Sequence, residues 1–408
     1  MGNSLSVNVN PAETRPYTDE QAEEYAKAVG INPRPSETKN EIDETGAFIR
    51  QPNAFIQPFG DKEGDLKAEA GRYSIYWATG CNWSNRPLIA RDLLGLGNVI
   101  KDQLATHSGQ SNKYGWGFRN QPDHKDPATG AYFLSEFYRK AKPDFKGRAT
   151  TPSFVDTIEK KVVNNDYHRL TNYLEVQFRP FQPVDAPDLY PKRFRKEIDE
   201  FNDWLFPHVN NGHYRMAFCQ SVSAYDEAFA DFYESLDKLE KRLETNRFLF
   251  GDYITDSDIR AFVTLVRWDI SYYRNIGPVK RRIVDYKNIW GYLRELNAIS
   301  AFHNNSNPRT LATSGFGSQK KTDELFRSYP ERILPQVDFE KLWADDGARK
   351  KLSKTPNELY LRHPKGETYE EYASEISKTI WNSPNLEDRN PKNGTLSVDA
   401  SINPIKLN

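Results

Sequence analysis

An α/β domain followed by an all-helical one is what this 408-residue sequence predicts. Three observations carry that expectation. An aromatic and β-branched stretch at 72–78 runs into a lone cysteine and then into apolar residues at helical spacing. Two short strand patterns follow, at 153–155 and 161–163, and from 194 to 300 the apolar period is helical throughout.

Taken in order, 1–70 reads as an N-terminal arm, with one short helical pattern at 20–28. The first domain spans 71–180. Its opening strand at 72–78 passes through Thr79-Gly80 to Cys81, and Leu88, Ile89, Leu93 and Leu94 then mark a helix that stops at Gly95 and Gly97. A Gly- and Pro-rich loop leads to a helix at 132–142, the two strands follow, and 167–174 is helical. The order β-α-(β)-α-β-β-α is that of a thioredoxin-like domain, the bracketed strand having the faintest pattern. Thr151-Pro152 stands where such folds place a cis-proline facing the active cysteine.

The second domain, 190–300, is a helix bundle. Its stripes are Ile198, Phe201 and Leu205; Phe229, Phe232, Leu236 and Leu239; and Ile259, Phe262, Leu265 and Val266. Thr255-Asp256-Ser257-Asp258 puts a hydroxyl three residues before a carboxylate, the pattern of a capping box. Residues 301–408 read as a C-terminal extension, polar and rich in Pro and Asn from 382 onward, hence a loose tail.

Composition excludes several function classes. Lys plus Arg number 56 against 57 for Asp plus Glu, a net charge of -1, which offers nothing to hold nucleic acid. No apolar run approaches a membrane span, and although Met1-Gly2-Asn3-Ser4-Leu5-Ser6 fits a myristoylation pattern, no basic residue follows before Arg15. No membrane attachment is expected. Two cysteines, Cys81 and Cys219, cannot build a disulfide framework, so a cytoplasmic protein is expected, with Cys219 packed in the core. The seven histidines have no ligand spacing, and no metal site is expected.

Cys81 is the candidate nucleophile, because the unpaired amides and dipole of a helix N-terminus favour a thiolate. Cys81-Asn82-Trp83-Ser84 holds no second cysteine, so an external thiol must resolve any intermediate. From Cys81 through Arg91 (CNWSNRPLIAR), with Leu94-Gly95-Leu96, the chain resembles the glutathionyl-hydroquinone reductases, the xi class of glutathione transferases, whose motif here is Cys-Pro-Trp-Ala-His-Arg-Thr-Leu-Ile. The likeness continues at GAFIRQPNAF (46–55), Gly115-Trp116-Gly117-Phe118, Asn164-Asn165-Asp166, NNGHY (210–214), FLFGD (248–252), 258–269 and RRIVDYKNIWGYL (281–293). It covers about residues 46 to 345.

The resemblance implies a glutathione-transferase helical domain behind the thioredoxin-like one, glutathione as cosubstrate, an aromatic adduct as substrate, and a homodimer. By the same likeness Cys81 attacks the sulfur of a glutathionyl adduct. Tyr214 and Tyr329 match tyrosines of the substrate pocket, Trp116 lies along glutathione, and the extended backbone at Thr151 before Pro152 pairs with its cysteinyl part. The family's Glu-Ser pair, which holds the γ-glutamyl end, is matched by Asp166-Tyr167. Asp166 keeps the acid, whereas Tyr167 removes the small hydroxyl, so weaker glutathione binding is expected, with only a backbone amide at a helix N-terminus left for the carboxylate. Two alternatives follow: a thiol transferase using another low-molecular-weight thiol, and a non-catalytic binding protein on a transferase scaffold.

Overall fold

The computed structural model describes residues 18–34, 41–108, 111–276, 279–313, 338–405 and 407. Helix α1 (Asp19–Val29) opens on a capping box, Thr18 and Gln21 each accepting the other's backbone N–H. Gly30, at φ 66°, closes it in the left-handed conformation that costs glycine little. Strand β1 (Tyr73–Trp77), helix α2 (Asn82–Leu93) and strand β2 (Lys101–Leu104) follow, then a small ribbon of β3 (Thr106–His107) and β4 (Trp116–Gly117). Helix α3 (Leu134–Ala141), strands β5 (Ser153–Asp156) and β6 (Lys161–Asn164) and helix α4 (Leu170–Val176) complete the unit.

The sheet runs β2-β1-β5-β6, with β1 parallel to β2 and the other pairings antiparallel. This is the thioredoxin-like arrangement, and the faint strand of the sequence reading is β2. Period-two alternation explains why β1 is apolar almost throughout: its two faces meet two different cores. Tyr73 and Ile75 join the core of α2 and the helical domain, while Tyr76 faces Phe137 of α3, its hydroxyl donating to Asp126 at 2.6 Å. Helix α4 begins at Leu170, three residues after the expected start at Tyr167, because 167–169 are spent on turns.

The helical domain comprises α5 (Arg195–Leu205), α6 (Gly212–Phe218), α7 (Val222–Thr245), α8 (Asp256–Leu265), α9 (Lys287–Asn297) and α10 (Ser300–Asn305). Its link to the first domain is α2, buried from Asn82 to Arg91 although half of that run is polar. Three of these polar side chains, Asn82, Asn85 and Arg86, find partners across the junction. Asn85 donates to the Asn305 carbonyl at 2.6 Å and accepts from Arg267, and Arg86 donates to Asn210 at 2.6 Å. Buried polar groups paired in this way fix how α2 sits between the domains.

The expected loose tail is a correction. Arg389, Ala400 and Leu407 are buried, as is Trp381 just before them. Thr379 donates to Asp203, Arg242 to the Ala400 carbonyl, and the Leu407 amide to the Phe250 carbonyl. A few apolar anchors and many side-chain-to-backbone bonds hold short turns here, an order that leaves no hydrophobic period to read. Among the described residues no helix is long and apolar enough to cross a membrane.

Candidate active site

Cys81 is the N-cap residue of α2, in extended conformation at φ -90° and ψ 107°. Its thiol donates to the Thr151 carbonyl at 3.3 Å. The Thr151-Pro152 bond is cis, as the sequence led us to expect, and it presents that carbonyl to the cysteine. Cys81, Trp83, Trp116, Thr151 and Tyr167 share the wall of a cleft of about 850 Å³, within the size range of small-molecule sites. Trp116 lies half-buried on β4, its ring 4.9 Å from that of His107.

Behind the thiol stands an aromatic cluster of Trp83, Tyr167, Phe206 and Trp381, with Tyr214 packed against it. The Tyr214 hydroxyl donates to Asn82, the residue after Cys81, at 3.2 Å and lies 3.2 Å from the Tyr272 hydroxyl. Burial raises the pKa of Tyr214, which keeps the phenol protonated. Asn82, where the family motif has proline, is therefore the acceptor that orients Tyr214. Tyr329 lies outside the described residues.

Asp166 is buried behind the cleft wall, where Asn53 and the His168 amide both donate to one of its carboxylate oxygens, and desolvation pushes its pKa up. Tyr167 turns its ring onto Trp83, 4.8 Å between centroids. The amide expected to remain for a ligand carboxylate is engaged: Tyr167 N–H donates to the Asn165 carbonyl at 3.0 Å, and Asp166 N–H to the Asn164 side chain at 2.7 Å. Cys219, expected in the core, is half-buried at the end of α6.

Charge distribution adds what the sequence total concealed. Arg34, Arg50, Arg139, Lys146, Arg148 and Arg389 line the cleft, and no described lining residue is acidic. Arg50 lies over the Tyr214 ring at 4.5 Å and over Trp83 at 5.0 Å. It belongs to the GAFIRQPNAF segment, so a signal was there to find. Arg389 comes from the polar C-terminal stretch, Trp381 borders it, and neither carried one. Among the described residues no group of acidic, histidine or cysteine side chains could hold a metal.

Residues 223–295 match the family model of the glutathione S-transferase C-terminal domain. Glutathionyl-hydroquinone reductase PcpF of Sphingobium chlorophenolicum is 35% identical over 245 residues, 60% of this chain and 76% of that one. The chain belongs to the glutathionyl-hydroquinone reductases, the xi-class glutathione transferases. Like these relatives, it is an enzyme. The reductase YqjG of Escherichia coli is 35% identical over 263 residues, 62% of this chain and 78% of that one. Its glutathione-bound structure superposes with a TM-score of 0.58, covering 68% of this chain and 90% of that one. The xi transferase of Phanerochaete chrysosporium gives a TM-score of 0.63 at 34% identity, covering 69% and 92%.

Proposed function

We propose that this xi-class enzyme takes glutathione as cosubstrate and removes the glutathionyl group from hydroquinone adducts through Cys81. The observation that carries the reading is the thiol at the start of α2, facing the cleft and bonded to the Thr151 carbonyl. Two facts about relatives support it: PcpF and YqjG are named for this reaction, and YqjG has been solved with glutathione bound.

In the first step the Cys81 thiolate attacks the adduct sulfur. A Cys81–glutathione disulfide forms, the ring carbon–sulfur bond breaks, and its electron pair leaves on the ring carbon, which takes a proton. Tyr214, protonated and hydrogen-bonded beside Cys81, is the donor we assign. A second glutathione thiolate then attacks the mixed disulfide, releasing glutathione disulfide and the Cys81 thiolate. One glutathione thiol and the thioether sulfur of the adduct are each oxidised by one electron, the ring carbon gains the two, and the proton shed by the second glutathione restores Tyr214, so the cycle balances. Loss of the thiol proton frees the Thr151 carbonyl, whose strand-like backbone can then pair with the cysteinyl part of glutathione, while Trp116 flanks it and Asp166 supplies negative charge behind the γ-glutamyl ammonium.

Intact mass spectrometry after treatment with glutathione disulfide tests the nucleophile. One added glutathionyl group on the wild type, absent in Cys81→Ser, is the expected result; modification of the variant would remove Cys81 from the mechanism. A glutathione-based active site also implies a reducing, cytoplasmic setting. We propose in addition a homodimer joined through the helical domains, with light scattering expected to give twice the chain mass.

A further inference from the structure

A γ-glutamyl group carries a carboxylate beside its ammonium, and the two backbone donors that would meet it are engaged. The amides of Asp166 and Tyr167 are both spent within the chain, and α4 begins only at Leu170. What borders Tyr167 instead is Arg389, on the turn Glu387–Arg389 of the C-terminal segment; both residues line the cleft that holds Cys81.

Arg389 is 8% exposed. It donates one bond, to the Arg50 carbonyl, and its Nε has no hydrogen-bond partner among the described residues. The acid within electrostatic reach, Glu41, is already engaged by Arg148 at 2.8 Å and by the Gln51 amide at 3.1 Å. A guanidinium is thus held nearly out of water, with no ion pair and no carboxylate in the cleft lining among the described residues. Such a charge is costly unless an anion arrives to meet it, and the planar fork of arginine matches a carboxylate with two parallel bonds. The segment that delivers it is fixed on both sides: Trp381 packs on Phe206, 5.2 Å between centroids, and Asn382 accepts from Asn53 at 2.9 Å.

We infer that Arg389 binds the α-carboxylate of the γ-glutamyl group, so that the C-terminal segment completes the thiol site. This rests on the reading of glutathione as cosubstrate. In the family pattern a serine hydroxyl serves this end of the ligand; here Tyr167 fills that space and a cation from a distant part of the chain takes over the task.

Calorimetric titration of two ligands into the full chain tests it: glutathione, and the tripeptide analogue with 4-aminobutyrate in place of the γ-glutamyl residue, which lacks only that carboxylate. Wild type should prefer glutathione by about 10- to 100-fold, the scale of a charge-assisted bond. Arg389→Gln should lose that preference while binding the analogue as the wild type does, and Arg389→Lys should restore part of it. Equal weakening of both ligands in Arg389→Gln marks a structural role and overturns the inference, as does an unchanged preference. Should Arg389→Gln not fold, equal affinity of wild type for the two ligands overturns it, and a preference reduced in Arg389→Lys supports it. If wild type binds neither ligand, the cosubstrate reading itself fails and takes the inference with it.

Discussion

Two helix starts in this protein are built in opposite ways. At α8 the first turn holds Asp256 and Asp258, and Asp258 is fully engaged: it accepts from the Thr255 amide and hydroxyl, from the Leu249 amide and from the Tyr292 hydroxyl, all in the core. At α2 the first turn has no acid, and Cys81 gives no side-chain cap. One end carries its own negative charge; the other leaves that charge to the thiolate or to a ligand. The lesson is that two extended N-cap residues, Thr255 at ψ 175° and Cys81 at ψ 107°, can open helices that differ in whether the chain's own carboxylate fills the first turn.

Breaking the reactive end should have the largest effect on chemistry and almost none on folding. Cys81→Ser is expected to lower turnover of a glutathionyl-hydroquinone by on the order of 10³-fold or more, with unfolding free energy in urea within about 0.5 kcal/mol of wild type. A parallel loss of stability would show that the thiol is part of the core. The sealed end should behave the other way. Asp258→Ala strands four donors in the interior and is expected to cost about 3 kcal/mol or more. A urea midpoint unmoved by that change would mean the network is not formed in solution.

A pH series sharpens the contrast further. His213, beside Tyr214 and stacked on Tyr272 at 4.0 Å, is pushed by burial from 6.5 down to about 3. Its folded-state pKa is depressed, so between these values the unfolded chain binds a proton that the folded one does not. Stability is therefore full above about 6.5 and declines as pH falls toward 3, with a slope of up to about 1.4 kcal/mol per pH unit. His213→Phe keeps the stacking and should flatten that acid limb in thermal melts; an identical limb in the variant would assign the slope to other groups. The smallest effect belongs to Thr255→Ala, about 1 kcal/mol by denaturant titration, the scale of one lost hydrogen bond. Its hydroxyl donates to Asp258 and does not cap an amide, so replacement by Ser should restore the loss.

Legibility follows the same division. The strand into Cys81 and the Thr255–Asp258 pair rest on local rules of period and capping, which read directly from residue order, whereas the cis-proline followed from the element order of a thioredoxin-like domain. The Tyr214–Asn82 contact does not, since the two lie 132 residues apart and nothing in either segment names the other. Asp166-Tyr167 was found by likeness, yet the engagement of its amides belongs to a turn whose hydrogen bonds no propensity specifies. Arg389 was invisible for a simpler reason. Polar composition between 382 and 408 argues against a hydrophobic core, and that segment orders itself by docking on one already made.

The bond between Arg389 and the Arg50 carbonyl joins residues 339 positions apart, so the wall of the cleft is assembled from both ends of the described chain. Ribosomal synthesis delivers those ends at different times. Residues 381 and 389 are added only after the bundle, whose last helix ends at Asn305. A nascent chain at that stage holds Cys81 and Trp83 without the Arg389 side of the cleft.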